Sequence, residues 1–382
     1  MEWRAINLFN YNYYMGNSFT KSDSEESRKI KKLKSRLKKR DTIIFQLREK
    51  VNSLQTKKAN QQSQQSQQSQ PNQPTKSKRD IQYKNLVIEG GGTKGIAYCS
   101  AVEVLEQMGI LKHITKYAGS SAGAITAALL AVGYNASDAK QIVSNTNFGE
   151  FLDDKFGYVR DGYKLLTDFG ICPGSTFLSF MKSKMKDKTG DEDYTFKQLW
   201  DDHQKELVVT GCDLTEMETT YFHYKTTPDM PIALAVRISM SIPYLFVPIE
   251  QDTHFYVDGG TIDNYPIHVF DGAYPGDPDA KFGTIPPNEE TLGLKILTPD
   301  EEVSYKLMTK HNDIDSIKDF TLSLMNTLMI ANERKYVSKR HWERTVVIKV
   351  PNIPLTKFDL SKEEIDQLLE AGRTGVSEYF KA

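Results

Sequence analysis

Cysteine is scarce in this chain: three residues in 382, Cys99, Cys172 and Cys212, set far apart. That is too few for a disulfide framework and gives no metal-ligand spacing, so the three read as buried thiols in a reducing compartment, with no metal and no cofactor expected. No run of 18 apolar residues occurs, and Met1-Glu2-Trp3-Arg4 lacks the charged-then-apolar order of an export signal. The expectation is an intracellular, cytoplasmic protein that meets membranes only peripherally. Net charge is also nearly absent, at −1, but the balance is local. Residues 1–80 carry 18 Lys and Arg against 7 Asp and Glu, and the remainder 31 against 43. A basic tail precedes an acidic body, and no nucleic-acid partner is expected of that body.

What is present in the tail is a heptad. Ile30, Leu37, Ile44 and Val51 fall at a, with Leu33, Leu47 and Leu54 at d and Arg40 the polar exception. The spacing predicts a basic coiled coil over 27–58, after an N-terminal tail at 1–26, and hence a homo-oligomer, a parallel dimer in the first instance. Residues 59–80 are rich in Gln and Ser with Pro71 and Pro74, too poor in apolar side chains to fold, and read as a disordered linker. The catalytic body is placed at 81–382, where the 39% hydrophobic content of the chain suffices for one substantial core.

In that body, apolar Val87-Ile88-Glu89 runs into Gly90-Gly91-Gly92-Thr93-Lys94-Gly95, followed by a helical pattern over 96–108. Glycines let backbone N–H groups converge, and the helix start adds positive potential, so developing negative charge is stabilised there. A second apolar strand at 114–118 leads to Gly119-Ser120-Ser121-Ala122-Gly123 and a small-residue helix over 122–131. This is G-x-S-x-G, the sharp strand-to-helix turn that lifts a serine hydroxyl clear of a sheet, with Gly119 and Gly123 relieving the crowding. Far downstream, Val257-Asp258-Gly259-Gly260 puts a carboxylate at a strand end beside two glycines, able to accept a proton from a hydroxyl. Each motif alone has a plainer reading, as a helix start, a phosphate loop or a turn. Found in this order, they point to ester hydrolysis.

The chain resembles the patatin-like phospholipase family. Glu89 to Gly95 matches its glycine-rich loop, Gly119 to Gly123 its elbow, and Asp258-Gly259-Gly260 its D-G-[GA] motif; the stretch Ala235-Val236-Arg237-Ile238-Ser239-Met240-Ser241-Ile242-Pro243 is similar to its A-x-R-x-S-x-x-x-P helix. Lys94 stands where the family usually has Arg, keeping the charge but losing the bidentate fork. The resemblance covers about residues 85–271. It implies a three-layer α/β/α fold and a lipid acyl hydrolase of phospholipase A type, acting on membrane phospholipid or another lipid ester. Ser121 is then the nucleophile and Asp258 the base, the amides of Gly90, Gly91, Gly92, Thr93, Lys94 and Gly95 form the oxyanion hole, and Gly259 and Gly260 support the Asp258 turn. The alternatives are a non-lipid esterase or acyl-protein hydrolase, and a non-catalytic scaffold on the same fold. A Ser-His-Asp triad also stays open by count, through His268, His311 or His341, although His268 reads as a half-buried structural position.

Between elbow and central strand, residues 148–200 carry aromatics (Phe148, Phe151, Phe156, Tyr158, Phe169) placed to cap the site and line an acyl pocket, with Ser175 and Thr195 as candidate helix caps. After Asp271 an apolar segment at 292–297, a helix around 317–330, a strand at 345–350 and a helix from Lys362 read as completion of the sheet and its outer layer, with no chemistry of their own.

Overall fold

The computed structural model of the chain describes residues 77–146, 148–152, 165, 167–272, 286–299, 314, 320, 323–324, 327, 339–354 and 357–381. The heptad, the Gln/Ser-rich stretch up to residue 76 and His311 lie outside the described residues, as does most of the helix expected at 317–330.

Five strands form the parallel spine of the main sheet: β1 (Asn85–Ile88), β2 (Lys116–Gly119), β4 (Glu206–Asp213), β9 (Thr291–Leu297) and β10 (Thr345–Lys349), in the order β10-β9-β1-β2-β4. Beyond them β8 (His254–Asp258) pairs antiparallel with β4 and then with β7 (Ile249–Gln251), while β5 (Glu218–Phe222) makes an antiparallel hairpin with the end of β4. A separate two-stranded sheet joins β3 (Gly170–Cys172) to β6 (Tyr244–Phe246). The short crossover from β1 to β2 runs through helix α1 (Ile96–Gln107), the arrangement a parallel pair requires.

Alternation along the strands sorts the core into two faces. Leu86, Ile88, Leu207, Val209, Leu294 and Ile348 belong to a large cluster with helices α1, α2 (Ala122–Ala131), α3 (Ala136–Asn145), α4 (Ser175–Thr189), α5 (Phe196–His203), α6 (Ile232–Ser239) and the terminal helix α8 (Lys362–Lys381). The intervening Val87, Ala118 and Val208 face the other way, onto Tyr265, Ile267, Val269 and Phe270. The result is a mixed α/β fold with a central sheet buried on both faces, as near-continuous apolar strands demand. A five-residue helix, α7 (Lys339–Glu343), leads into β10.

Two local readings separate. Thr195 caps α5 in a full capping box with Gln198, as its position suggested. Ser175 does not cap α4: it is the first helical residue, and Gly174 takes the cap position in the left-handed region (φ 70°) because its carbonyl is held by the buried Arg237.

Candidate active site

The elbow forms where β2 ends. Ser121 sits between β2 and α2 with φ 50° and ψ −122°, a conformation that a residue with a side chain adopts only under constraint. The constraint is visible in its neighbours. A Cβ on Gly119 would lie 2.5 Å from the carbonyl carbon of Gly123, and a Cβ on Gly123 would lie 2.2 Å from the carbonyl oxygen of Ile88, so the turn closes tightly against β1 only with glycine at both places. The strained residue's own amide is bound as well: the Ser121 N–H donates to Ser239 Oγ over 2.9 Å.

Asp258 arrives from the opposite direction at the end of β8, opposite Gly211 of β4. It is 3% exposed, and its carboxylate accepts the Gly260 N–H over 2.7 Å, with the Ser121 side chain beside it. Burial pushes its pKa up to about 7, a rise that the Gly260 amide and the Ser121 side chain offset only in part; among the described residues no Lys, Arg or His contributes to holding the charge. The Asp258 N–H donates to Ser241 O at 2.9 Å. One short stretch at the end of α6 therefore fixes both residues through their main chains, Ser239 holding Ser121 and Ser241 holding Asp258. Arg237 locks that stretch in turn. It is 1% exposed, donates to the carbonyls of Gly174, Pro173 and Val247, bonds Ser241 Oγ, and lies over the Phe246 ring.

The glycine-rich segment passes beside Ser121 as a 3-10 turn, Gly92–Gly95, that continues into α1. Of the six residues expected there, Gly90 donates its N–H to Asn264 O and Lys94 its N–H to Gly91 O, so these two amides are occupied in this conformation. Thr93 and Lys94 are buried, and Thr93 Oγ1 donates to Lys357 O. Gly259 and Gly260 begin the turn after Asp258.

Gly92, Thr93, Gly95 and Ser121 border a cavity of about 590 Å³, part of it open to solvent. Apart from Thr126 the rest of its wall is apolar: Ile96, Ala122, Ile125, Val143, Met240, Ile242, and the aromatic rings of Phe148, Phe151, Phe177, Phe246 and Phe358. Phe151 is the hub of the aromatic group, packing edge-on to both Phe148 and Phe177. Phe148 and Phe151 stand where the sequence placed an acyl-pocket lining; Phe156 and Tyr158 lie outside the described residues, and Phe169 is exposed elsewhere, against Phe255. Phe358 corrects the expectation for the C-terminal part. Residues beyond 271 do contribute to the site, Phe358 to the wall and the Lys357 carbonyl to the loop.

Of the three histidines weighed for a triad, the two described ones lie elsewhere. His268 bonds the Tyr221 hydroxyl and faces Asp263, the half-buried structural position expected, and His341 faces Asp271. Among the described residues, no group of three or more His, Cys, Asp or Glu could hold a metal ion, and no helix is long and apolar enough to cross a membrane.

Residues 86–271 match the family model described as patatin-like phospholipase. Over 300 residues the chain is 28% identical to the uncharacterized protein R571 of Acanthamoeba polyphaga mimivirus, an alignment covering 78% of this chain and 93% of the relative. It is 28% identical to the probable lipid hydrolase 463L of Invertebrate iridescent virus 6, over 49% of this chain and 63% of that one. Among solved structures, VipD from Legionella pneumophila aligns over 79% of this chain and 67% of its own, with TM-score 0.49 and 18% identity.

Proposed function

Because the chain belongs to the patatin-like phospholipase family through residues 86–271, we propose that this lipid hydrolase cleaves carboxylic esters of phospholipids or other acyl lipids with Ser121 as nucleophile and Asp258 as its only base. The observation that carries the reading is the strained, amide-tethered Ser121 beside a buried carboxylate at the mouth of an apolar cavity. The acyl chain lies among the aromatic rings and the ester carbonyl comes to rest over Ser121. As Ser121 Oγ attacks the carbonyl carbon, its proton passes to Asp258, whose pKa near 7 lets it accept that proton and later release it. Negative charge gathers on the former carbonyl oxygen. The amides of Gly91, Gly92 and Thr93 are the donors for it, since Gly90 and Lys94 are bonded within the protein and the Ser121 amide faces Ser239. The protonated Asp258 then supplies the leaving alkoxide, and a water activated by the same carboxylate hydrolyses the acyl-serine.

The test is a panel of phospholipids, lysolipids, triglycerides and short soluble esters, run with the parent protein and with Ser121→Ala. The expected result is turnover of long-chain lipids by the parent, none by Ser121→Ala, and covalent labelling of Ser121 by a fluorophosphonate. Turnover confined to short soluble esters would favour the non-lipid esterase, and an inert parent the scaffold.

A further inference from the structure

Asn264 lies six residues beyond Asp258, is 5% exposed, and holds the glycine-rich loop by both ends of one residue. Its main-chain carbonyl accepts the Gly90 N–H over 3.0 Å, and its side-chain Nδ2 donates to Gly90 O over 3.2 Å and to Glu89 Oε1 over 3.4 Å. The carboxamide is packed so closely that a Cβ on Gly90 would fall 2.3 Å, and one on Gly260 2.7 Å, from Asn264 Oδ1. It thus fills the gap between the loop and the turn that carries Asp258. Glu89 is itself fixed: it is ion-paired with the buried Lys295 and accepts the Ile296 N–H over 2.8 Å, both on β9.

From this we infer that Asn264 is a positioning residue that sets the orientation of the Gly90–Gly91 peptide, and with it the aim of the Gly91 amide. The reason is geometric. A trans peptide is planar with its C=O and N–H pointing opposite ways, so a donor that grips Gly90 O also dictates where the Gly91 N–H points. Between two glycines the peptide has little steric resistance to flipping, and the Asn264 side chain supplies the resistance. The carbonyl of an unreacted ester gains little from that amide, whereas the oxyanion gains much, so the effect falls on turnover and not on substrate binding. The inference rests on the proposed serine hydrolase reading.

The experiment compares Asn264→Asp and Asn264→Ser with the parent on a soluble p-nitrophenyl ester, with rates normalised to sites titrated by a fluorophosphonate, so that loss of folded protein does not count. Asn264→Asp keeps the shape but turns the donor into an acceptor facing Gly90 O and Glu89; Asn264→Ser shortens the side chain and carries the test if the aspartate variant does not fold. The expected result is a fall in kcat per titrated site of roughly tenfold to a hundredfold, with KM within about twofold, as for a small misplacement of an oxyanion donor. Per-site kcat within twofold of the parent, or KM rising as far as kcat falls, overturns the inference. Ser121→Ala is run alongside. Full turnover in that variant sinks the serine reading itself, whereas a dead Ser121→Ala with unaffected Asn264 variants sinks only the role of Asn264.

Discussion

The two ends of β4 hold two buried carboxylates in opposite states. Glu206, at the start of the strand, is bonded by His223 Nε2 and by Lys116 Nζ, each at 2.9 Å; burial pushes its pKa up, but these partners pull harder and hold it below the usual carboxylate range. Asp258, beside Gly211 near the other end, has no cation among the described residues, and burial leaves it near 7. Asp271 resembles Glu206, gripped by Arg344 and His341 and likewise held low against its burial. A carboxylate kept for structure is given a cation, because an unpaired buried charge is costly. One left without a cation, at the sheet edge where the loop and elbow also end, carries a cost that structure alone does not explain, and such sites are where proton transfer is found.

The largest expected effect breaks the comparison at its functional end. Ser121→Ala and Asp258→Asn are each expected to lower ester turnover by about 10⁴ or more, as loss of a nucleophile or its base does in serine hydrolases, while circular dichroism stays unchanged. Substitution of His268 or His341 by Gln leaves turnover per folded molecule within about twofold. A histidine variant as inactive as Ser121→Ala, yet folded, would restore the triad.

The same carboxylate sets the pH dependence. With Asp258 as base, kcat/KM on a soluble ester rises about tenfold per pH unit below 7 and levels above it, as the carboxyl loses its proton. Stability runs the other way. The folded pKa lies above the unfolded value near 3.8, so the folded state keeps a proton that the unfolded chain releases, and the contribution of this one group to stability is greatest below about 4 and declines as pH rises toward 7. Asp258→Asn removes that decline, so the inactive variant melts at a higher temperature than the parent at pH 8 and at a similar one at pH 4. A lower melting temperature at pH 8 would show that the ionised carboxylate is paid for by contacts not seen here.

Much of this was legible in the sequence, and the reason is local. The elbow, the glycine loop and Asp-Gly-Gly are contiguous motifs whose residue types are forced by turn geometry, so Ser121 and Asp258 could be named and brought together across 136 intervening positions only because each motif marks its own strand end. The strands of the parallel spine were legible for a related reason: buried on both faces, they are nearly unbroken apolar runs. What was not legible acts through space. Ser239 and Ser241 each reach a different catalytic candidate, Asn264 reaches back to Gly90, and Phe358 closes the cavity from beyond the last motif. Nothing in the local pattern of a serine at a helix end, or of a lone phenylalanine after a proline-containing loop, indicates which distant wall it completes. Ser175 failed as a cap for the same reason, since the grip of Arg237 on Gly174 lies 63 positions away.

At the structural end of β4 the expected effect is smaller and of the other kind. Glu206→Gln removes the charge that His223 and Lys116 share and leaves both short of a partner, which lowers stability by roughly 1–3 kcal/mol near neutral pH. The folded pKa of Glu206 is depressed, so its contribution is present above the unfolded value near 4.5 and is lost as pH falls below it. The parent and the variant therefore converge in melting temperature toward acid, as the Asp258→Asn pair does, but near neutral pH the variant is here the one that melts lower. Turnover per folded molecule stays within twofold of the parent, because neither partner of Glu206 reaches the cavity. A deep loss of kcat in Glu206→Gln would erase the distinction between the two ends.

The smallest expected effect on catalysis concerns the N-terminal heptad, which lies outside the described residues. We propose that residues 27–58 associate chains through the a and d positions and that the Gln/Ser-rich stretch transmits no rigid coupling to the body. Placing a charge at two a positions, Leu37→Asp with Ile44→Asp, in the full chain removes the apolar seam without touching any residue that lines the cavity. Light scattering is then expected to show a fall from oligomer to monomer, while kcat on a soluble ester stays within about twofold. On vesicles the variant acts more weakly, since two linked sites on one surface raise the effective concentration of the second. A parent that is already monomeric ends the coiled-coil reading, and a monomeric variant that has lost soluble-ester turnover would mean that the body depends on its partner for its active form.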